Sequence, residues 1–193
     1  MVQHIDSARL NTDLRYRFDY LSKFLDFTSN DIVQLNQISS IIQPLIPVIV
    51  DNVYRKLFSF DITKQYLILR HTCLENVLPS DHCLLSFHSD GMEYRKNMLS
   101  QYLKHVFTEK EWNDTFLRYL LYVGQIHTKQ LGSTHVHVDY IHLNLLCGYL
   151  QQILLETILK NDQIDSAIKN QVILTINKVF WIQNDFFRMN YCE

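Results

Sequence analysis

The sequence predicts a single all-helical domain, and three observations support this prediction. The 193 residues include only 4 glycines and 3 prolines, whereas strands joined by tight turns use both freely. Apolar residues recur every three to four positions along most of the chain, which is the period of an amphipathic helix. The length suits one hydrophobic core, and no repeat or linker divides it, so we expect residues 1–193 to form one all-α domain.

The apolar period first appears near the N-terminus. Apolar residues spaced by four, three and four positions predict a first helix: Leu14, Phe18, Leu21 and Leu25. Asn11 or Thr12 is expected to cap this helix, because short polar side chains accept hydrogen bonds from its free N–H groups. A second helix begins at residues 28–29. Pro44 and Pro47 predict a break after it, since proline lacks the N–H that continues a helix.

Four helices are predicted in the second half of the chain. Residues 92–106 form the first, and Thr108 with Glu111 three positions later matches a capping box that would begin the next. Asp139 is expected to open a long helix that reaches about residue 160. The last helix is expected to open at residues 165–166.

Composition and charge exclude several classes of function. The formal net charge is −2 and no basic tract occurs, so no nucleic-acid footprint is expected. The N-terminus lacks the pattern of a signal peptide, and the most apolar run, residues 38–50, is too short and interrupted to span a membrane. The four cysteines are scattered, which favours reduced thiols and a cytoplasmic protein. No nucleotide-binding loop or hydrolase triad is found.

His127 is the histidine whose position indicates a function. It continues the apolar stripe of a predicted helix, so its imidazole is expected to face the core; the preceding stripe residues are Phe116, Leu120 and Val123. A buried imidazole needs partners for both nitrogens. Iron at Nε2, with a backbone carbonyl accepting from Nδ1–H, would satisfy both. The alternative is a core histidine that is hydrogen-bonded only to protein.

Tyr54 is a second candidate. The predicted helix from about residue 47 to residue 58 places Tyr54 on one face with Val50 and Leu57. A buried tyrosine hydroxyl needs a partner, and in a haem pocket it can donate a hydrogen bond to a diatomic ligand. The alternative is a hydroxyl that reaches the surface or a carbonyl.

A histidine-rich segment offers a competing metal site. His135, His137, Asp139 and His142 lie in HVHVDYIH, and such residues can bind zinc. No further Cys or His cluster completes four ligands, so a turn with solvated histidines is the preferred interpretation.

Five blocks of the sequence resemble protoglobins and the globin domains of globin-coupled sensors, in the order expected for that family. The segment around His127 is similar to the proximal-histidine helix, and the last block is similar to the eukaryotic, mainly fungal, branch. The blocks are FDYLSKFLDF (residues 18–27, followed by Asp31), VDNVYRKL (50–57), YLLYVGQIHT (119–128), VDYIHLNLLCGYL (138–150) and FWIQNDFF (180–187).

The resemblance implies a globin-like helical sandwich with an extra N-terminal helix, holding haem b. It implies that His127 ligates the iron and that Tyr54 faces the bound gas. Three residues are candidates to cover the distal side: Met98, Leu99 and Tyr102. Three others are expected to line the proximal side: Leu120, Val123 and Leu146.

The function implied is reversible binding of O2, CO or NO at haem iron, possibly for gas sensing. A globin-fold interaction module that has lost its haem is the alternative, and a haem enzyme is a third class. Relatives often pair through their last two long helices, so a homodimer is expected. Apolar residues consistent with this are Ile153, Ile158, Ile176 and Trp181, and ordinary burial in the core is the alternative for each of them.

Overall fold

The computed structural model describes residues 2–67, 90–128 and 137–191, and every regular element in these ranges is helical. The all-α prediction is therefore confirmed for this part of the chain. The α-helices are α1 (Ser7–Thr12), α2 (Leu14–Phe24), α3 (Ser29–Gln37), α4 (Ser39–Ile42), α5 (Ile46–Phe58), α6 (61–67), α7 (Asp90–Thr108), α8 (Asp114–Gln125), α9 (Tyr140–Lys160) and α10 (Ser166–Met189).

The predicted break at the two prolines is present. α4 passes through a 3-10 turn, Gln43–Leu45, into α5, and Pro47 lies in the first turn of α5, where its missing N–H is not needed. α3 and the segment Ser39–Phe58 meet at 44°. Within the described ranges no single helix has the length and apolarity to cross a membrane. The bent pair of α3 and Ser39–Phe58 has that length and apolarity only when its two segments are taken together.

Two predicted helix caps are wrong. α2 is capped by Asp13 instead of Asn11 or Thr12, and the Asp13 carboxylate also pairs with Arg9 at 2.7 Å. α8 is capped by Asn113, whose side-chain oxygen accepts two backbone N–H groups. The Thr108 hydroxyl instead donates back into α7, to the carbonyl of Lys104 at 2.8 Å, so it cannot cap α8.

α10 lies at the centre of the fold and packs against α2, α3, α8 and α9. A buried polar network ties it to α3: the Asp31 carboxylate accepts hydrogen bonds from Thr175 and Lys178, at 2.8 and 2.9 Å. Asp31 also forms the capping box of α3 with Thr28. Burial raises the pKa of the Asp31 carboxyl, but these hydrogen bonds outweigh burial, and the net pKa is lowered.

The extra N-terminal helix, α2, is held by aromatic packing and ion pairs. Phe18 lies 6.0 Å from the Trp112 ring, between centroids, and Phe27 lies 4.7 Å from it. Arg17 binds Asp185 on α10 through two hydrogen bonds, of 2.5 and 2.7 Å. α2 is therefore fixed against both α8 and α10.

Candidate functional site

His127 lies two residues beyond Gln125, the last residue of α8, in the turn that follows the helix. Its N–H donates to the carbonyl of Gly124 at 3.1 Å, and its Nδ1 lies 2.8 Å from the carbonyl oxygen of Val123. A carbonyl oxygen can only accept, so Nδ1 carries the proton, and in the neutral ring Nε2 holds the lone pair. This is the carbonyl contact that the sequence argument required of a metal-binding histidine.

The two ends of the chain segment that follows His127 are also fixed. The His127 carbonyl accepts the N–H of Val138 at 3.0 Å, and the Tyr191 hydroxyl donates to the carbonyl of Val138 at 2.5 Å. The Phe187 ring lies 6.3 Å from the imidazole, between centroids. The start of α9 and the end of α10 thus hold the backbone and ring of a half-buried His127.

Tyr54 and Tyr102 are both buried tyrosines, on helices that pack together. Tyr54 on α5 is 8% exposed, and Tyr102 on α7 is 6% exposed. Burial raises the pKa of the Tyr102 hydroxyl well above its ordinary value, and nearby Cys147 and Tyr119 raise it further. No hydrogen bond joins this hydroxyl to another described residue. Tyr102 therefore places an uncharged, buried hydroxyl in the interior between α7 and α9.

α7 and α8 meet at one end. The rings of His105 on α7 and Tyr119 on α8 have centroids 5.0 Å apart. His127 lies eight residues beyond Tyr119, which is about two helical turns. α8 packs extensively against α2 and α10. In the described residues its packing against α7 is less extensive. Among the described elements, backbone packing against α7 therefore does not cover the His127 end of α8.

The apolar candidates differ in their exposure. Leu120 is 1% exposed, whereas Val123, Leu99 and Leu146 are half-buried. Met98 is 41% exposed, which suits the edge of a pocket better than its interior. Leu146 lines a groove between α5, α9 and α10, and His127 is not among the residues that line this groove. Contacts of these five residues with a haem remain a prediction.

Two of the candidate zinc ligands, Asp139 and His142, contact Tyr66 in the structure. His135 lies outside the described residues. The His142 ring packs against Tyr66, with centroids 5.5 Å apart, and Asp139 accepts a hydrogen bond from the Tyr66 hydroxyl at 2.9 Å. The described chain contains no group of three or more His, Cys, Asp or Glu side chains suited to a metal ion.

Sequence reasoning missed two residues that hold the His127 end of α8. A Cβ on Gly124 would lie 2.5 Å from Asn190 Nδ2 and 3.0 Å from Phe187 Cδ1, so glycine allows α8 to approach α10 closely. An isolated glycine within a helical pattern indicates such packing, so Gly124 could have been identified from the sequence. Tyr191 gave none, because its partner is a backbone carbonyl.

The residues expected to form a dimer surface divide into two sets. Ile158 and Ile176 are 0% and 2% exposed, so for these two residues core burial, the alternative interpretation, is the one that the structure shows. Trp181 is 57% exposed and Ile153 is half-buried. Only the latter two remain available to a partner.

The fold defines the class of protein. The structure resembles the globin domain of the Geobacter sulfurreducens globin-coupled sensor, with a TM-score of 0.69 and 16% sequence identity, and the match covers 91% of this chain and 97% of that chain. At this identity the likeness establishes the fold, and the chain is an all-α, globin-fold protein.

The family model for Protoglobin matches residues 14–193. The chain therefore belongs to the Protoglobin family. No curated protein matches it significantly. The similarity of residues 180–187 to the fungal branch remains a prediction.

Proposed function

We propose that this chain holds haem b through His127 and reversibly binds a diatomic gas at the iron. The observation that carries the proposal is the 2.8 Å contact between His127 Nδ1 and the Val123 carbonyl, which makes Nε2 the lone-pair nitrogen. Membership of the Protoglobin family, through a match over residues 14–193, supports the same conclusion.

The residues present fit a haem. The four porphyrin nitrogens ligate the iron, so one protein nitrogen suffices, and a cluster of protein ligands is not needed. The second contact of a ligating histidine is usually a carbonyl or carboxylate that fixes its tautomer, as Val123 does. Apolar residues near this end of α8 would exclude water from a flat ring; they are Leu120, Val123 and Phe187.

Haem iron, when bound, supplies the coordination position at which O2, CO or NO binds. In this proposal Tyr54, which lies on the buried face of α5, would donate a hydrogen bond from its hydroxyl to a gas bound at the iron. Tyr102 offers a second buried hydroxyl on α7, and its raised pKa keeps that hydroxyl protonated as a donor. Leu99 and Met98 would cover the distal side, while Leu120, Val123 and Leu146 would lie on the proximal side.

A gas-sensing role, a cytoplasmic location and a homodimer belong to the same proposal. A dimer through the last two long helices would use apolar side chains that α9 and α10 leave exposed, in place of Ile158 and Ile176. Those exposed side chains are Ile141, Leu159, Leu174 and Trp181.

Haem retention by a histidine variant tests the assignment. The full chain supplied with haemin is expected to show an intense Soret band that survives gel filtration, and His127→Gly is expected to lose it because the variant lacks the nitrogen that the proposal assigns to the iron. Added imidazole is expected to restore the band in His127→Gly. The matched control is His142→Ala, since His142 is also half-buried but packs against Tyr66.

Two outcomes would contradict this proposal. A His127→Gly protein that stays red with an unchanged spectrum would show that another residue ligates the iron. A folded wild-type chain that rejects haemin would favour the haem-free interaction module instead.

A further inference from the structure

The C-terminal end of α10 is tied to His127 by two successive hydrogen bonds. The Tyr191 hydroxyl donates to the carbonyl of Val138 at 2.5 Å, and the N–H of Val138 donates to the carbonyl of His127 at 3.0 Å. Val138 is therefore held through both its N–H and its carbonyl. One residue connects the Tyr191 side chain to the backbone of the histidine.

Tyr191 is itself held in place by backbone and ring contacts. Its N–H donates to the carbonyl of Arg188 at 3.0 Å, in the turn that ends α10. Its ring packs against those of His137 and Tyr140, with centroids 5.2 and 5.5 Å away. Burial, and to a smaller extent the charge of Asp139, raises the pKa of the Tyr191 hydroxyl to about 12, so this hydroxyl stays protonated as a donor.

The same end of α10 also contacts the imidazole ring. Phe187 precedes Tyr191 by four residues, about one helical turn, and its ring centroid lies 6.3 Å from that of His127. The Nδ1 contact of His127 with Val123 joins residues four positions apart, so it cannot by itself fix the imidazole relative to the rest of the fold. Contacts from α10 do so, at the ring through Phe187 and at the backbone through Val138.

We propose that Tyr191 is a positioning residue for the ligand histidine and acts through the backbone of Val138. This role rests on the proposed function, in which Nε2 of His127 ligates the iron. Groups that hold a metal-binding histidine set its ring orientation, and their loss typically weakens metal binding or activity about 10- to 100-fold. Without the Tyr191 hydroxyl, Val138 is held on one side only, and the direction of Nε2 is less well defined.

Tyr140 provides a matched control, because it shares the surroundings of Tyr191 but not this connection. Both tyrosines are half-buried, and their rings pack together. The Tyr140 hydroxyl donates to Asn184 Oδ1 on α10 at 3.1 Å, a hydrogen bond that involves neither His127 nor Val138. Tyr191→Phe and Tyr140→Phe each remove one hydroxyl, so a role limited to holding α9 against α10 predicts similar effects for both.

Two measurements on the full chain without haem test the hold on the histidine. In Tyr191→Phe the Val138 amide hydrogen is expected to exchange with D2O about two- to tenfold faster, since one hydrogen bond that holds this residue is lost. Nitrogen-15 NMR of the His127 imidazole, in mildly alkaline solution, is expected to show a mixture of the Nδ1 and Nε2 tautomers. The wild type and Tyr140→Phe are expected to keep the slower exchange and a proton on Nδ1.

A third measurement uses the chain loaded with haem. With the iron reduced, resonance Raman spectra report the iron–histidine bond, and its stretching band is expected to broaden and move to lower frequency in Tyr191→Phe but not in Tyr140→Phe. Transfer of haem to an acceptor protein is expected to be about tenfold faster in Tyr191→Phe, at the lower end of the range for groups that hold a ligand histidine.

Three outcomes would overturn the proposal. The first is wild-type exchange at Val138 together with an unchanged His127 tautomer in Tyr191→Phe. The second is an equal change in both variants, since Tyr191 would then only hold α9 against α10. The third is an iron–histidine band that is the same in both variants. A wild type that rejects haemin would instead refute haem ligation by His127, and the haem-free measurements would still decide whether Tyr191 holds this histidine.

Discussion

Gly124 and Gly148 provide a matched pair of substitutions that tests how tightly α8 is held against α10. Both glycines lie within long helices, so alanine at either position stabilises the helix by about 0.5–1 kcal/mol. Their surroundings differ. A Cβ on Gly148 meets nothing within 4 Å, whereas a Cβ on Gly124 would lie 2.5 Å from Asn190 Nδ2 and 3.4 Å from Phe187 Cα.

The cost at Gly124 follows from these neighbours. Overpacking a filled interior costs about 1–3 kcal/mol. Asn190 is 8% exposed, and its Nδ2 donates to the carbonyl of Phe186 at 2.9 Å, so moving it breaks a buried hydrogen bond worth about 0.5–1.5 kcal/mol. We therefore expect Gly124→Ala to lower the free energy of unfolding by roughly 1–3 kcal/mol net, and Gly148→Ala to raise it by about 0.5–1 kcal/mol.

Urea denaturation followed by far-ultraviolet circular dichroism measures both changes in unfolding free energy. The wild type and the two variants are compared with the same haem content. The slope of unfolding free energy against urea should be the same in all three proteins, since the surface exposed on unfolding hardly changes. Equal stabilisation by the two alanines would refute the reasoning, because α8 would then have room for a methyl group against α10.

Two other predictions concern single polar groups. Tyr54→Phe removes the proposed donor to the gas ligand, so the O2 dissociation rate measured by stopped flow is expected to rise about two- to tenfold, for a hydrogen bond of about 0.5–1.5 kcal/mol; an unchanged rate would argue against donation by Tyr54. Asp31→Asn is expected to destabilise the fold at pH 7 by roughly 1–3 kcal/mol, because Lys178 and Thr175 lose a charged acceptor. Since the folded pKa of Asp31 is lowered, its contribution is complete above the ordinary value of 3.8 and is lost as pH falls through the folded pKa. The stability gap between wild type and variant should therefore narrow in acid, and a gap independent of pH would contradict this.

The sequence predicted those parts of the site that depend on local periodicity. In the structure His127 is half-buried and follows the end of α8 at Gln125. The spacing of Phe116, Leu120, Val123 and His127 predicts an imidazole that faces the core, and it puts the carbonyl of residue 123 one turn before the histidine. That turn is where the Nδ1 contact occurs. Tyr54 is buried as expected for the same reason, since Val50 and Tyr54 share the inner face of α5.

Helix caps could not be chosen from pattern alone. Thr108 and Glu111 have the spacing of a capping box, but α7 continues to Thr108 and uses its hydroxyl, while Asn113 is free to begin α8. The decision depends on where the preceding helix ends, which follows from its packing and not from the two residues themselves. The predicted start at residues 28–29 agrees with the structure, in which Thr28 caps α3 and no preceding helix uses its side chain.

The faces of α9 show a different limit of periodicity. The buried face of a helix with one apolar stripe can be predicted from its sequence, but α9 has apolar residues on opposite sides. Four of them are at most 3% exposed: Leu143, Leu150, Leu154 and Ile158. Three others are at least 56% exposed: Ile141, Leu145 and Leu159. The 3.6-residue period assigns Leu143, Leu150 and Leu154 to one face, but it cannot say whether that face or the opposite one meets α10. That choice is made by α5 and α10, which pack against α9 on one side. The opposite side retains apolar residues that α5 and α10 leave exposed, and a second copy of the chain, as proposed above, would bury them.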